Sequence, residues 1–139
     1  MAPRLSIPWT VTALGVVTIG LGACSGSTPK AASGLASRTT TVANVGVTIT
    51  PTRIDASGAT FQIAFDTHSG APGIDVAARS TLTVGGIAGN GAAWTGDGPG
   101  GHHRAGALRF NANGPARGPV QLDITGLGGS AHATWQLPS

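Results

Sequence analysis

Three histidines and one aspartate are the side chains of this sequence best suited to chemistry, and they fall in two short segments. Asp66 and His68 belong to the segment FDTHS, whereas His102 and His103 follow two glycines in the segment GGHHR. Residues two apart on a strand share a face, so Asp66 and His68 are expected on one side at a strand end. A glycine-rich loop beside that strand end would bring three imidazoles and a carboxylate together.

Such a set of donors would suit a divalent transition metal. Imidazole nitrogen and carboxylate oxygen are ligands for zinc and copper(II), so the predicted metal ligands are Asp66, His68, His102 and His103. Copper(I) and blue-copper chemistry are not expected, because they need sulfur ligands. The chain has one methionine and one cysteine, and both lie in the N-terminal region treated below.

The same residues have a purely structural interpretation. Asp66 would cap a turn, His68 would donate to a loop carbonyl, and Arg104 would pair with Asp97 or Asp66 to hold the long loop. Arg104 and Asp97 are called the loop latch below. No pair of these histidines has the spacing of a known metal motif, so metal binding and loop fixation both stay open.

No enzyme is predicted, and no residue is assigned a catalytic role. Gly96, Gly98 and Gly101 match the dinucleotide-binding pattern, but Pro99 interrupts it and no strand–helix–strand unit surrounds it. The Gly-x-Ser-x-Gly turn that presents a hydrolase nucleophile is missing from the sequence as well.

The N-terminal segment has the pattern of a bacterial lipoprotein leader. A short basic start and an apolar stretch lead to Leu-Gly-Ala before Cys24, the only cysteine. Residues 1–23 are therefore predicted to be a signal peptide and Cys24 a lipidation site. This would tether the protein to the cell membrane, facing outside the cytoplasm, with the membrane as a partner and any envelope protein partner unidentified. A transmembrane anchor and secretion with a free thiol are the alternatives.

Composition excludes further classes of protein. The chain has 23 Gly and 9 Pro in 139 residues, which makes long helices improbable. Its formal net charge is +3, yet the basic residues are scattered singly, so a nucleic-acid partner is not expected.

After a stretch of small and polar residues, apolar residues recur at every second position. Residues 24–41 are predicted to be the lipidated cysteine and a flexible linker, and residues 42–139 a single domain. Six segments alternate apolar and polar residues, and weaker strand candidates cover Ile74–Ala77 and Ala92–Thr95. His132 alternates with apolar neighbours and is expected to face solvent. The prediction is an all-β, immunoglobulin-like β-sandwich of about seven strands.

Two segments also carry a resemblance. Residues 61–69 read FQIAFDTHS and residues 94–110 read WTGDGPGGHHRAGALRF. They resemble uncharacterised bacterial extracytoplasmic β-domains that share DTHS, a W-x-G…GGHHR-x-G-x-L-x-F segment, and a tryptophan in the last strand, here Trp135. The resemblance supplies no activity, but it implies that one unit is formed by Asp66, His68, His102, His103 and Arg104.

Overall fold

A computed structural model describes residues 35–70, 72–111 and 114–139. This part of the chain forms nine strands: β1 (Arg38–Val42), β2 (Val45–Asp55), β3 (Gly58–Thr67), β4 (Ser80–Val84), β5 (Ile87–Ala88), β6 (Asn90–Gly96), β7 (His103–Asn111), β8 (Gly118–Ile124) and β9 (Ala131–Leu137). Within the same ranges, no helix has the length and apolar character needed to cross a membrane.

The strands form two antiparallel sheets that pack face to face. One sheet has the order β1-β2-β3-β7-β6 and the other the order β5-β4-β8-β9. The chain changes sheet after β3, after β5 and after β7, as it does in immunoglobulin domains. The prediction of an all-β, immunoglobulin-like sandwich is confirmed, with nine strands in the described residues rather than about seven.

The core is built from the residues that alternate along each strand. Phe61, Ile63 and Phe65 of β3 point inward and are almost completely buried. The ring of Phe61 contacts those of Phe110, from the same sheet, and Trp135, from the opposite sheet. This inward-facing aromatic cluster packs the two sheets against each other.

The first strand begins earlier in the chain than the sequence predicts. Leu35 is buried and β1 begins at Arg38, so the prediction of a flexible linker as far as residue 41 is wrong for its last residues. The hydroxyl groups of Thr39 and Thr48 lie 3.2 Å apart across β1 and β2. A threonine-rich edge strand has no apolar alternation, which explains why the pattern of residues did not indicate it.

The two weaker strand candidates have opposite outcomes. Ala92–Thr95 lies inside β6, as predicted. Ile74–Ala77 is not a strand, because the chain makes a turn there in which the Arg79 amide donates to the Asp75 carbonyl. Val76 from this turn is nonetheless buried in the core, which accounts for the apolar signal.

The two ends of the sandwich differ in composition. The histidine end comprises the β1–β2 turn and the segments after β3, after β6 and after β8. The far end comprises the β2–β3 turn, the β4–β5 turn and the segment between β7 and β8. Gly128, in the β8–β9 loop, approaches Ala43, in the β1–β2 turn, so closely that an added β-carbon would lie 2.8 Å from the Ala43 side chain.

Candidate functional site

The glycine-rich loop lies beside the end of β3, as the metal-site hypothesis requires. The Thr67 amide donates to the His102 carbonyl over 2.9 Å, and Asp66 is directly opposite His103 in the β3–β7 register. Both segments that the sequence singles out therefore meet at the histidine end of the sandwich.

Each histidine of the pair uses its Nδ1 atom internally. Nδ1 of His102 lies 3.1 Å from the Thr67 carbonyl oxygen, and Nδ1 of His103 lies 2.6 Å from Oδ1 of Asp66. A carbonyl or an ionised carboxylate only accepts hydrogen bonds, so both Nδ1 atoms carry the proton in these contacts. The Nε2 atom of each neutral ring then keeps its lone pair.

These side chains line an open groove on the outer face of the five-stranded sheet. Gly46 lies in the groove and has no side chain to fill it. The remaining lining is polar and comes from Thr41, Asn44, Asp66, Thr67, His68, His102 and His103. The Asp66 and His103 side chains remain 63% and 59% exposed, so their hydrogen bond is open to solvent and to any ligand in the groove.

The groove gathers the four predicted metal ligands without arranging them as a chelate. Among the described residues, no group of three or more histidine, cysteine or acidic side chains is placed to hold a metal ion. The Asp66 carboxylate is used by His103, and His68 is exposed with no side-chain hydrogen bond inside the described ranges. The predicted donation from His68 to a loop carbonyl is therefore not found there.

Arg104 is the buried centre of the site. Its side chain is on the inward side of β7 and the residue is only 3% exposed. Nε donates to the Asp97 carbonyl over 2.9 Å, while Nη1 donates to the carbonyls of Pro72 and Ile74 over 3.0 and 2.9 Å. The guanidinium also lies 5.4 Å from the centre of the Trp94 ring, within the range of a cation–π contact. One side chain thus connects two loops.

The loop latch is formed, but not by the charge pair that the sequence predicts. Arg104 binds the main-chain oxygen of Asp97, and no carboxylate pairs with it in the described residues. The Asp97 carboxylate instead accepts from the Ala105 amide over 3.0 Å, and Asp66 is engaged by His103. With both carboxylates used elsewhere, backbone carbonyls solvate the guanidinium.

A second histidine–carboxylate pair lies on the outer face of the other sheet. Nδ1 of His132 is 2.5 Å from Oδ1 of Asp123, and His132 faces solvent as predicted. Partial burial raises the pKa of Asp123, but hydrogen bonds from Gln121 and His132, with the charge of His132, outweigh it and hold that pKa below its ordinary value. The β8–β9 register that pairs these residues was not evident from the sequence.

Cys24 and the predicted leader lie outside the described residues.

The fold and the groove together define an immunoglobulin-like β-sandwich with a histidine-lined polar end. No protein family, curated protein or solved structure matches the chain in the comparisons made with each.

Proposed function

We propose that this protein is a lipid-anchored structural or interaction module of the bacterial cell envelope. Cys24 would carry the lipid, and the sandwich would stand outside the cytoplasmic membrane with its histidine end held rigid. The proposal assigns no catalytic activity to the domain. Its support comes from the lipoprotein-like leader and from the internal use of the polar groups at the histidine end.

The observation that carries the proposal is the buried position of Arg104. A guanidinium that is buried without a carboxylate is costly unless its N–H groups are bonded. Here backbone carbonyls from two loops accept hydrogen bonds from that guanidinium. A surface held in one shape in this way is suited to recognition by a partner, because its loops lose little further conformational entropy on binding.

Loop fixation has a direct test in the thermal stability of a His102→Ala variant. Loss of the His102 contact to Thr67 should lower the melting temperature equally in buffer, in a chelator and in zinc. In buffer and in chelator, His68→Ala is the matched control, because it removes an exposed imidazole at the same end that makes no side-chain hydrogen bond in the described residues. A decrease that appears only when metal is present would contradict loop fixation.

Metal binding is the second candidate, and one observation favours it. Histidines that bind metals usually donate their second ring N–H to a carboxylate or a carbonyl, which orients the ligating nitrogen. His102 and His103 both have this arrangement, with Nε2 as the available atom. In this version Asp66 orients His103 and does not bind the metal itself, and zinc or copper(II) would be the ion.

Titration with zinc or copper(II) separates the two candidates. A ligand that binds only the folded protein raises the melting temperature by mass action, and the gain should disappear in His102→Ala and His103→Ala. The affinity should decrease as the pH is lowered, because an imidazole binds a metal only in its unprotonated form. An unchanged melting temperature with either metal at millimolar concentration would rule out the metal site.

A further inference from the structure

The far end of the sandwich differs from the histidine end in charge and in apolar exposure. Arg53 and Arg109 flank Thr60 in one row across the outer face of the five-stranded sheet, near its far end. Arg117 is exposed in the segment that meets the β4–β5 turn at Gly85. The far end therefore presents three arginines.

Only one of these arginines has a carboxylate partner in the described ranges. Arg53 Nε lies 3.8 Å from Oδ2 of Asp55. Arg109 and Arg117 form no ion pair with any described residue. At the histidine end, by contrast, Asp66, Asp75 and Asp97 are exposed, and they outnumber the exposed Arg79 and the buried Arg104. The far end therefore has a net positive charge and the histidine end a net negative one.

An apolar feature accompanies the positive charge. Ile87 is 42% exposed and is the only exposed large hydrophobic residue among those described. It borders a cleft between the two sheets, which is also lined by Ile54, Leu82, Val84, Pro115 and Ala116, and by Asp55, the partner of Arg53. Arginines at the same end of the molecule as an exposed apolar side chain form a surface that suits anionic lipid headgroups.

The first described residues run toward this surface. Arg38 lies opposite Ile49, and Ser37 contacts Thr50, so the chain followed back from β1 runs toward the far end. The Trp135 indole donates to the Ala36 carbonyl over 2.7 Å and holds this segment against β9. Ten residues separate Cys24 from Leu35 in the sequence.

We propose that the far end docks on the anionic phospholipid surface to which the chain is anchored. Ile87 enters the headgroup layer, Arg109 and Arg117 contact lipid phosphates, and the histidine end points away from the membrane. This inference rests on the proposed lipid anchor at Cys24. The lipid supplies attachment, and the far end determines orientation, so the groove stays accessible to partners in the envelope.

Hydrogen exchange on the native, membrane-extracted protein tests the orientation. The protein is reconstituted into vesicles of pure phosphatidylcholine and into vesicles that also contain phosphatidylglycerol. Amides of residues 82–88 and 114–119 should exchange more slowly on the anionic vesicles, while those of residues 97–103 stay unchanged. Raised salt should reverse the protection, because it screens exposed charges.

Matched variants assign the effect to the arginines. Arg109→Gln and Arg117→Gln should each lower the ratio of docked to undocked protein about fivefold. Arg79→Gln makes the same change of charge at an exposed site that is not part of the far end, and should leave the ratio unchanged.

Mass spectrometry of the same sample separates the two proposals. An acylated Cys24 with no protection at the far end would overturn the docking and leave the anchor standing. Protection of residues 97–103 in place of the far end would overturn the docking as well. An unmodified Cys24 would end the anchor, and the docking with it.

Discussion

Replacement of Arg104 by methionine is the sharpest test of how the histidine end is held. Methionine keeps most of the buried stem but removes three hydrogen bonds and the contact with Trp94. A hydrogen bond to a charged group contributes about 1.5–3 kcal/mol to stability. The acceptors on Pro72 and Ile74 belong to half-buried residues that water can reach once the loops relax. We therefore expect a loss of about 3 kcal/mol, below the sum of the separate bonds.

The assay is urea unfolding followed by far-UV circular dichroism. A loss of about 3 kcal/mol corresponds to a decrease of roughly 12–24 °C in the melting temperature of a domain of this size. Arg104→Lys should recover part of the loss, since an ammonium keeps the charge but cannot reach both loops as the guanidinium does. Slopes of the unfolding curves should stay equal, because the core is untouched.

Arg109→Met is the matched control for the Arg104 variant. It removes an exposed arginine from the same strand and should change stability by less than about 0.5 kcal/mol. Equal stabilities of the Arg104→Met and Arg109→Met proteins would refute the reasoning that the buried guanidinium joins the loops.

Three further substitutions, with Gly98→Ala as a control, test the packing and the electrostatics. Gly106→Ala would place a β-carbon 2.6 Å from a Trp94 ring carbon and should lower the free energy of unfolding by about 2–3 kcal/mol. The added β-carbon of Gly98→Ala would meet nothing within 4 Å, so this control should leave the stability unchanged. Ala43 has φ of +45°, so Ala43→Gly should raise the melting temperature through a gain of about 0.5–1 kcal/mol. The lowered pKa of Asp123 contributes stability that is present above its ordinary value of 3.8 and is lost as the pH falls through the native value. Asp123→Asn should therefore be less stable than the parent at pH 7, with a difference that disappears in acid unfolding curves.

The strands that pack the core were predictable from the sequence, because their side chains alternate between core and solvent. Phe61, Ile63 and Phe65 make this pattern plain. The edge strand β1 was not predictable in the same way, since its threonines lie against other hydroxyl groups and bury little apolar surface. Its existence depends on pairing with β2, which is a tertiary property.

The candidate site, like the fold, could be predicted from the sequence only in part. The meeting of the FDTHS and GGHHR segments was a condition of the metal-site hypothesis, and the structure shows that the two segments do lie side by side. The burial of Arg104 was missed, although one signal was present: Arg104 is an even number of residues from Leu108 and Phe110, both inward-facing. A charged residue at such a position contradicts the usual rule, and only the arrangement of carbonyls in two distant loops explains why it is tolerated.

The use of main-chain oxygens as partners for Arg104 has a consequence for how the histidine end responds to acid. Neither a guanidinium nor a peptide carbonyl gains or loses a proton between mildly acidic and mildly alkaline surroundings. Hydrogen bonds of this kind persist as the surrounding solution becomes acidic, so the connection that Arg104 makes between the two loops is retained.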